Sequence, residues 1–181
     1  MLINDLAYDV HLNAKEHGWW DSDRDLYEII ALIHSEWSEA LEEARAGKED
    51  VYHADGKPEG IAVELIDGVI RILDLLGSLN ADLKDPDTGM PASMESLWMN
   101  MSTDDLPDEV QILIAGLHKC TSQAIRDDPD DVLGPLDPTQ LVAAMGLALT
   151  WVHKRGIWPL ELLIEKHEYN KKRPYKHGKR F

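Results

Sequence analysis

Glu36, Glu39 and Glu43 recur at three- and four-residue intervals in LIHSEWSEALEEARAG, and Glu64, Asp67, Arg71 and Asp74 recur in the same way in AVELIDGVIRILDLLG. On a helix turning about 100° per residue, this spacing stacks the charged groups on one strip. Each strip borders an apolar stripe: Ile33, Trp37, Ala40, Leu41 and Ala44 in the first segment, and Ile61, Leu65, Val69, Ile72, Leu73 and Leu76 in the second. Two antiparallel helices joined by a short loop and paired along these stripes would bring Glu36, Glu39, Glu64 and Asp67 together at their shared edge. Four carboxylates at close range repel unless protons or cations neutralise them. Hard divalent cations with all-oxygen ligands meet that need, and Mg²⁺ is the usual one where phosphates complete the shell. The competing reading is a solvated helix face, because an acidic helical chain produces ExxE and ExxD spacing by composition alone. On these residues alone both readings stand.

Helical periodicity dominates the chain and alternating strand patterns are absent, so the expected fold class is all-α. A first helix runs from about Ile3 to His17 and stops at Gly18; the second is capped near Ser22 or Asp23 and ends at Gly47. KEDVYHADGK reads as a polar loop, and Pro58 suits the first turn of a third helix that reaches about Gly77. Beyond the loop NADLKDPDTGMPAS, a short helix is expected at MESLWMNM. Longer helices follow from about Asp108 to Arg126 and from Pro138 to Lys154; Pro159 opens the last helix and Pro174 closes it.

The composition narrows the function classes. Six Trp and 44% apolar residues in 181 residues suit one domain with a full core. A net charge of -16 repels nucleic acid and anionic membranes. The lone Cys120 forms no intramolecular disulfide, the N-terminus has no signal-peptide pattern, and no apolar run approaches a membrane span. A soluble, cytoplasmic protein is expected, with no nucleic-acid and no membrane partner. There is no Gly-rich phosphate loop, and no Cys/His spacing suggests zinc.

HSEWSEALEEAR followed by KPEGIAVELIDGVIRILDLLG resembles the MazG-like, all-α nucleoside triphosphate pyrophosphohydrolases, whose signature is ExxE on one helix and ExxD on the next. AKEHGWW resembles the segment before the first acidic helix in that family, and EKHEYNKKRPYKHGKRF resembles the end of its small phage and bacterial members. The resemblance covers roughly residues 1 to 80 and 160 to 181. It implies Mg²⁺-dependent hydrolysis of a (deoxy)nucleoside triphosphate to the monophosphate and pyrophosphate, in nucleotide-pool cleaning, with Mn²⁺ as a substitute metal. Carried over residue by residue, Glu36, Glu39, Glu64 and Asp67 become the metal ligands and catalytic carboxylates, with Glu39 as the general base. Lys166, Asn170, Arg173 and Lys176 become phosphate or sugar contacts in the basic tail, which departs from the family where relatives read HGGK and this chain reads HGKR. The adjacent Trp19 and Trp20 suit a nucleobase platform, one ring stacking on the base while the other enters the core. Both being ordinary packing aromatics is the alternative. Two further function classes stay open: hydrolysis of another pyrophosphate-linked nucleotide such as phosphoribosyl-ATP, and a non-catalytic helical module that binds a nucleotide or cation.

The middle of the chain repeats the pattern without the acids. Aligning IAGLHKCTSQAIR with ALIHSEWSEALEEAR sets His118 on His34, Cys120 on Glu36 and Gln123 on Glu39. Setting Gly156 on Gly77 puts Ala143 opposite Glu64 and Gly146 opposite Asp67. The expected organisation is therefore one MazG-like domain over residues 1–181, with catalytic helices in 2–80, a degenerate second hairpin in 107–156, and a C-terminal helix and basic tail in 159–181. The two hairpins would form a four-helix bundle, as a monomeric pseudo-dimer or within a homodimer.

Overall fold

Where the apolar stripes run, helices form. The computed structural model describes residues 1–84, 89–126 and 136–178. Within them lie α1 (Ile3–Glu16), α2 (Leu26–Arg45), α3 (Ile61–Ser78), the one-turn α4 (Ser96–Met99), α5 (Val110–Gln123), α6 (Pro138–Lys154) and α7 (Pro159–Asn170). The fold is all-α apart from one small hairpin. No helix among the described residues is long and apolar enough to cross a membrane. The turn-rich segment 127–135 and the tail residues Lys179 and Arg180 lie outside the described residues.

The N-terminus of α2 differs from the sequence expectation. The cap is Asp25, whose carboxylate accepts a hydrogen bond from the Tyr27 backbone N–H at 2.7 Å, so the helix starts later than a cap at Ser22 or Asp23 would allow. A second difference lies in the expected polar loop, where β1 (Tyr52–Ala54) pairs antiparallel with β2 (Lys57–Glu59) around Asp55 and Gly56. Both turn residues have positive φ, 52° and 78°, the conformation a two-residue type I′ hairpin turn requires and Asp-Gly readily supplies. Pro58 therefore belongs to β2 rather than to the first turn of α3. The helix begins only after Gly60, whose φ of 118° and close approach to the Asp50 carbonyl (2.7 Å from an added Cβ) admit no side chain.

Four helices pack in a ring: α2 against α3 and α5, and α6 against α3 and α5. α1 and α7 flank α3, which is consequently buried on nearly every side. Gly68 sets the approach of α2 to α3, because a Cβ there would come within 2.2 Å of the Trp37 ring. Trp37 is fully buried against it and donates from Nε1 to Thr121 Oγ1 on α5 at 2.9 Å. Next to it, His34 and His118 meet with their Nδ1 atoms 2.7 Å apart, ring planes 13° apart and centroids 5.0 Å apart. That centroid separation is the Nδ1 distance plus the two ring radii, so the imidazoles lie edge to edge and one Nδ1–H donates to the other ring's Nδ1. Both contacts join positions that the α2/α5 sequence alignment superposes. Contact between equivalent residues is the pattern produced by a local two-fold axis.

Candidate functional site

The α2–α3 contact that Gly68 permits also sets Glu36, beside Trp37, against Glu64 and Asp67 on α3. Glu36, Glu64 and Asp67 each offer an oxygen within 4.8 Å of the others, the one such group of three or more possible metal ligands among the described residues. Glu36 and Glu64 are buried, and Asp67 is half-buried. Glu39 lines the same cleft but is exposed at its rim. The structure thus brings three of the four expected carboxylates into one cluster and sets the fourth at the entrance.

Burial pushes the Glu64 carboxyl up to about 8, aided by the charge of Asp67 and opposed by Lys166. Burial also pushes Glu36 above the ordinary carboxylate range, against the pull of Arg71. Two internal cations balance the cluster. The Arg71 guanidinium donates from Nε to Glu36 Oε1, and Lys166 Nζ lies 2.9 Å from Asp67 Oδ2. Glu64 holds a proton at neutral pH, and each of the other two cluster carboxyls has a side-chain cation beside it.

The remaining sequence candidates separate into two sets. Asn170, Arg173 and Trp19 line the cleft. Lys166 and Lys176 depart from their expected roles, and of the indole pair Trp20 is the ring that turns to the core rather than to the cleft. Lys166 is fully buried at the foot of the cluster, where Nζ also donates to the Pro58 carbonyl at 3.1 Å; it braces Asp67 and has no open path to a phosphate. Lys176 lies away from the cleft wall: its backbone N–H donates to His17 O, and its ammonium stands over the Tyr175 ring. Trp20 turns its indole Nε1–H onto Asp74 Oδ1 at 2.9 Å and packs against the core, leaving the cleft wall to Trp19. The Arg24 guanidinium lies over both indoles, 5.9 Å from Trp19 and 5.5 Å from Trp20, and is held by Glu28.

Three polar residues of the cleft, Lys57, Arg24 and Asn13, were not anticipated. Lys57 reaches the cleft from β2, paired with Glu59 at 2.6 Å. Burial opposes its charge, but Glu59 and the cluster carboxylates hold its ammonium above the ordinary lysine value. Arg24 lines the wall from the segment before α2. Asn13 comes from α1, between the buried Val10 and Ala14. A polar residue set into an apolar stripe was the available signal for Asn13, and the Asp-Gly turn was the signal for Lys57.

The donor set fits a hard cation: all oxygen, largely buried, and counterbalanced at present by one proton and two side-chain cations. A second observation points to a ligand. Asn170 is only 8% exposed, yet among the described residues its Oδ1 has no hydrogen-bond partner, and the buried Asn13 Oδ1 in the same cleft has none either. Buried carboxamide oxygens left unpaired are costly, so these two are suited to groups that enter the cleft. The positions aligned with the four carboxylates carry a different arrangement. A Cβ on Gly146 would meet Met101 Sδ at 3.2 Å and the Leu97 carbonyl at 3.3 Å, so the α4 segment covers α6 at that place.

No family model matches the chain, and no curated protein or solved structure matches it. What the fold and the cleft define is an all-α protein with a buried, cation-balanced carboxylate cluster.

Proposed function

We propose that the chain is a Mg²⁺-dependent nucleoside triphosphate pyrophosphohydrolase of the MazG-like kind. The observation that carries this reading is the convergence of ExxE on α2 and ExxD on α3 into one three-carboxylate cluster, at a cleft that also holds unpaired carboxamides, an indole and basic side chains. Glu36, Glu64 and Asp67 would hold the metal. When bound, it supplies an acidified water for attack on the α-phosphate and neutralises the pyrophosphate leaving group.

The chain's own residues do the rest. Glu39, at the rim and open to solvent, accepts the proton of the attacking water. Lys57 and Arg173 meet the charge of the phosphate chain at the cleft mouth. Trp19 offers its face to the base, while Arg24 and the bond from Trp20 to Asp74 hold the indole pair in place. Asn13 and Asn170 supply hydrogen bonds to the sugar or base edge. Lys166 orients Asp67. The products are a nucleoside monophosphate and pyrophosphate, with water supplying the oxygen that joins the α-phosphorus.

The test is a panel of standard and modified (d)NTPs with Mg²⁺ or Mn²⁺, read by pyrophosphate release, with phosphoribosyl-ATP included. Turnover of a triphosphate that is lost in Glu64→Gln and Asp67→Asn supports the reading. Full activity in both variants overturns the site. Turnover of phosphoribosyl-ATP alone moves the function to that substrate class, and binding without turnover across the panel leaves a non-catalytic nucleotide-binding module.

A further inference from the structure

Arg71 lies on α3 one turn after Asp67, at a position where an acidic cluster gains most from a cation. Its Nε–H is committed to Glu36 Oε1, and this ion pair joins α3 to α2 across the cleft. The two terminal nitrogens make no hydrogen bond within the described residues, although the residue lines the cleft and its side chain is 28% exposed. An arginine presents five N–H donors, four of them on the terminal nitrogens, in a planar fork that matches phosphate oxygens. Four donors therefore remain available at the wall where a phosphate chain would lie. The same guanidinium occupies one of the two Glu36 oxygens, and its positive charge opposes any cation approaching the cluster.

Lys166 does not share this position. It is fully buried and tied to both Asp67 and the Pro58 carbonyl, so it stays in place whatever enters the cleft. Arg71, partly exposed and fixed at one nitrogen, is the cation free to exchange partners.

We propose that Arg71 is a phosphate-binding residue of this cleft and that, before ligand binds, it competes with the divalent cation for Glu36. The inference rests on the metal-site reading above. Metal and phosphate then bind in concert: the cation takes Glu36, and the released guanidinium turns its fork to the phosphate chain.

The test measures binding without turnover, on the full chain. Mn²⁺ affinity is measured alone by titration calorimetry, and affinity for inorganic tripolyphosphate is measured at saturating Mn²⁺. Arg71→Met, which keeps the apolar stem, is expected to bind Mn²⁺ about 3- to 10-fold more tightly than the unmodified chain, because a competing charge is gone. It should bind tripolyphosphate about 10- to 100-fold more weakly, because a charge-assisted fork is lost. Arg71→Lys keeps the charge and should recover part of the tripolyphosphate affinity; Arg71→Gln serves if the Met variant does not fold. Weaker Mn²⁺ binding in Arg71→Met and Arg71→Gln would make Arg71 a support for the ligands and overturn the competition. Unchanged tripolyphosphate affinity would overturn the phosphate role. Failure of every protein, the unmodified chain included, to bind Mn²⁺ would overturn the metal-site reading and this inference with it.

Discussion

Removing the Glu64 charge should stabilise the metal-free protein, and by an amount that depends on pH. A carboxyl that titrates near 8 in the folded chain and near 4.5 when unfolded binds more protons in the folded state between those values. The free energy of unfolding therefore falls as pH rises through that window. The loss grows by about 1.4 kcal/mol per pH unit and levels off near pH 8 at a ceiling of about 5 kcal/mol. Water reaching the cleft screens part of it, so Glu64→Gln should gain about 2 kcal/mol at pH 8 and under about 1 kcal/mol at pH 5. For a chain of this length the gain at pH 8 corresponds to roughly 4–8 °C in Tm. The assay is thermal or urea unfolding in EDTA at pH 5 and pH 8, followed by the same series with saturating Mg²⁺ or Mn²⁺. With metal the order should reverse, since a ligand that binds only the folded state stabilises the unmodified chain and not the variant. Destabilisation by Glu64→Gln in EDTA at pH 8, or an equal gain at both pH values, would refute the desolvated-carboxyl account.

Three further outcomes test the supports of the cleft. Gly68→Ala should cost about 1–3 kcal/mol in urea unfolding and weaken Mn²⁺ binding, because the new methyl pushes the Trp37 ring and spreads α2 from α3; unaltered stability would remove Gly68 as the spacer. Lys166→Met should cost about 3 kcal/mol by leaving Asp67 without its buried partner, and the double variant with Asp67→Asn should recover much of that loss; no recovery would mean that packing, not charge, is what Lys166 contributes. Burial holds His34, His118 and His167 below the ordinary imidazole value of 6.5, with His34 and His118 also facing each other and Asp9 opposing the shift at His167. Groups so depressed bind fewer protons folded than unfolded, so stability should decline as pH falls through about 6.5, and His118→Leu should flatten part of that decline in unfolding titrations.

The helical framework was legible because apolar periodicity runs unbroken through α1, α2, α3 and α6, with α6 bounded by Pro138 and Lys154 as expected. The β-hairpin escaped because three-residue strands are too short to show alternation, and its evidence was confined to Asp55-Gly56. The ExxE and ExxD acids were legible as helix strips, but not the rank among them that leaves Glu39 at the rim. Lys166 shows what tail composition conceals. Counted among basic residues it reads as a phosphate contact, yet Leu162, Leu163, Lys166, His167 and Asn170 form the buried face of α7. A lysine and an asparagine at core-facing positions of a stripe signal buried polar work, and that signal was in the spacing.

The division of labour between the two hairpins follows from their contacts. A single α2–α3 hairpin would leave the faces that hold His34, Trp37 and Ile33 open to water. α5 covers them, meeting His34 with His118 and Trp37 with Thr121. Once α5 and α6 serve this purpose, acids at Cys120, Gln123, Ala143 and Gly146 would require a second set of balancing cations. Those positions are neutral, and at Gly146 the missing side chain admits Met101 and the Leu97 carbonyl of the α4 segment, with Thr150 Oγ1 3.4 Å from Met101 Sδ. Trp98 and Met94, fully buried in the same segment, extend that apolar cover. The charge that destabilises the first hairpin is thus confined to one cleft, where Arg71 and Lys166 offset it. The second hairpin contributes the packing that holds Trp37 against Gly68, and with it Glu36 beside Glu64 and Asp67.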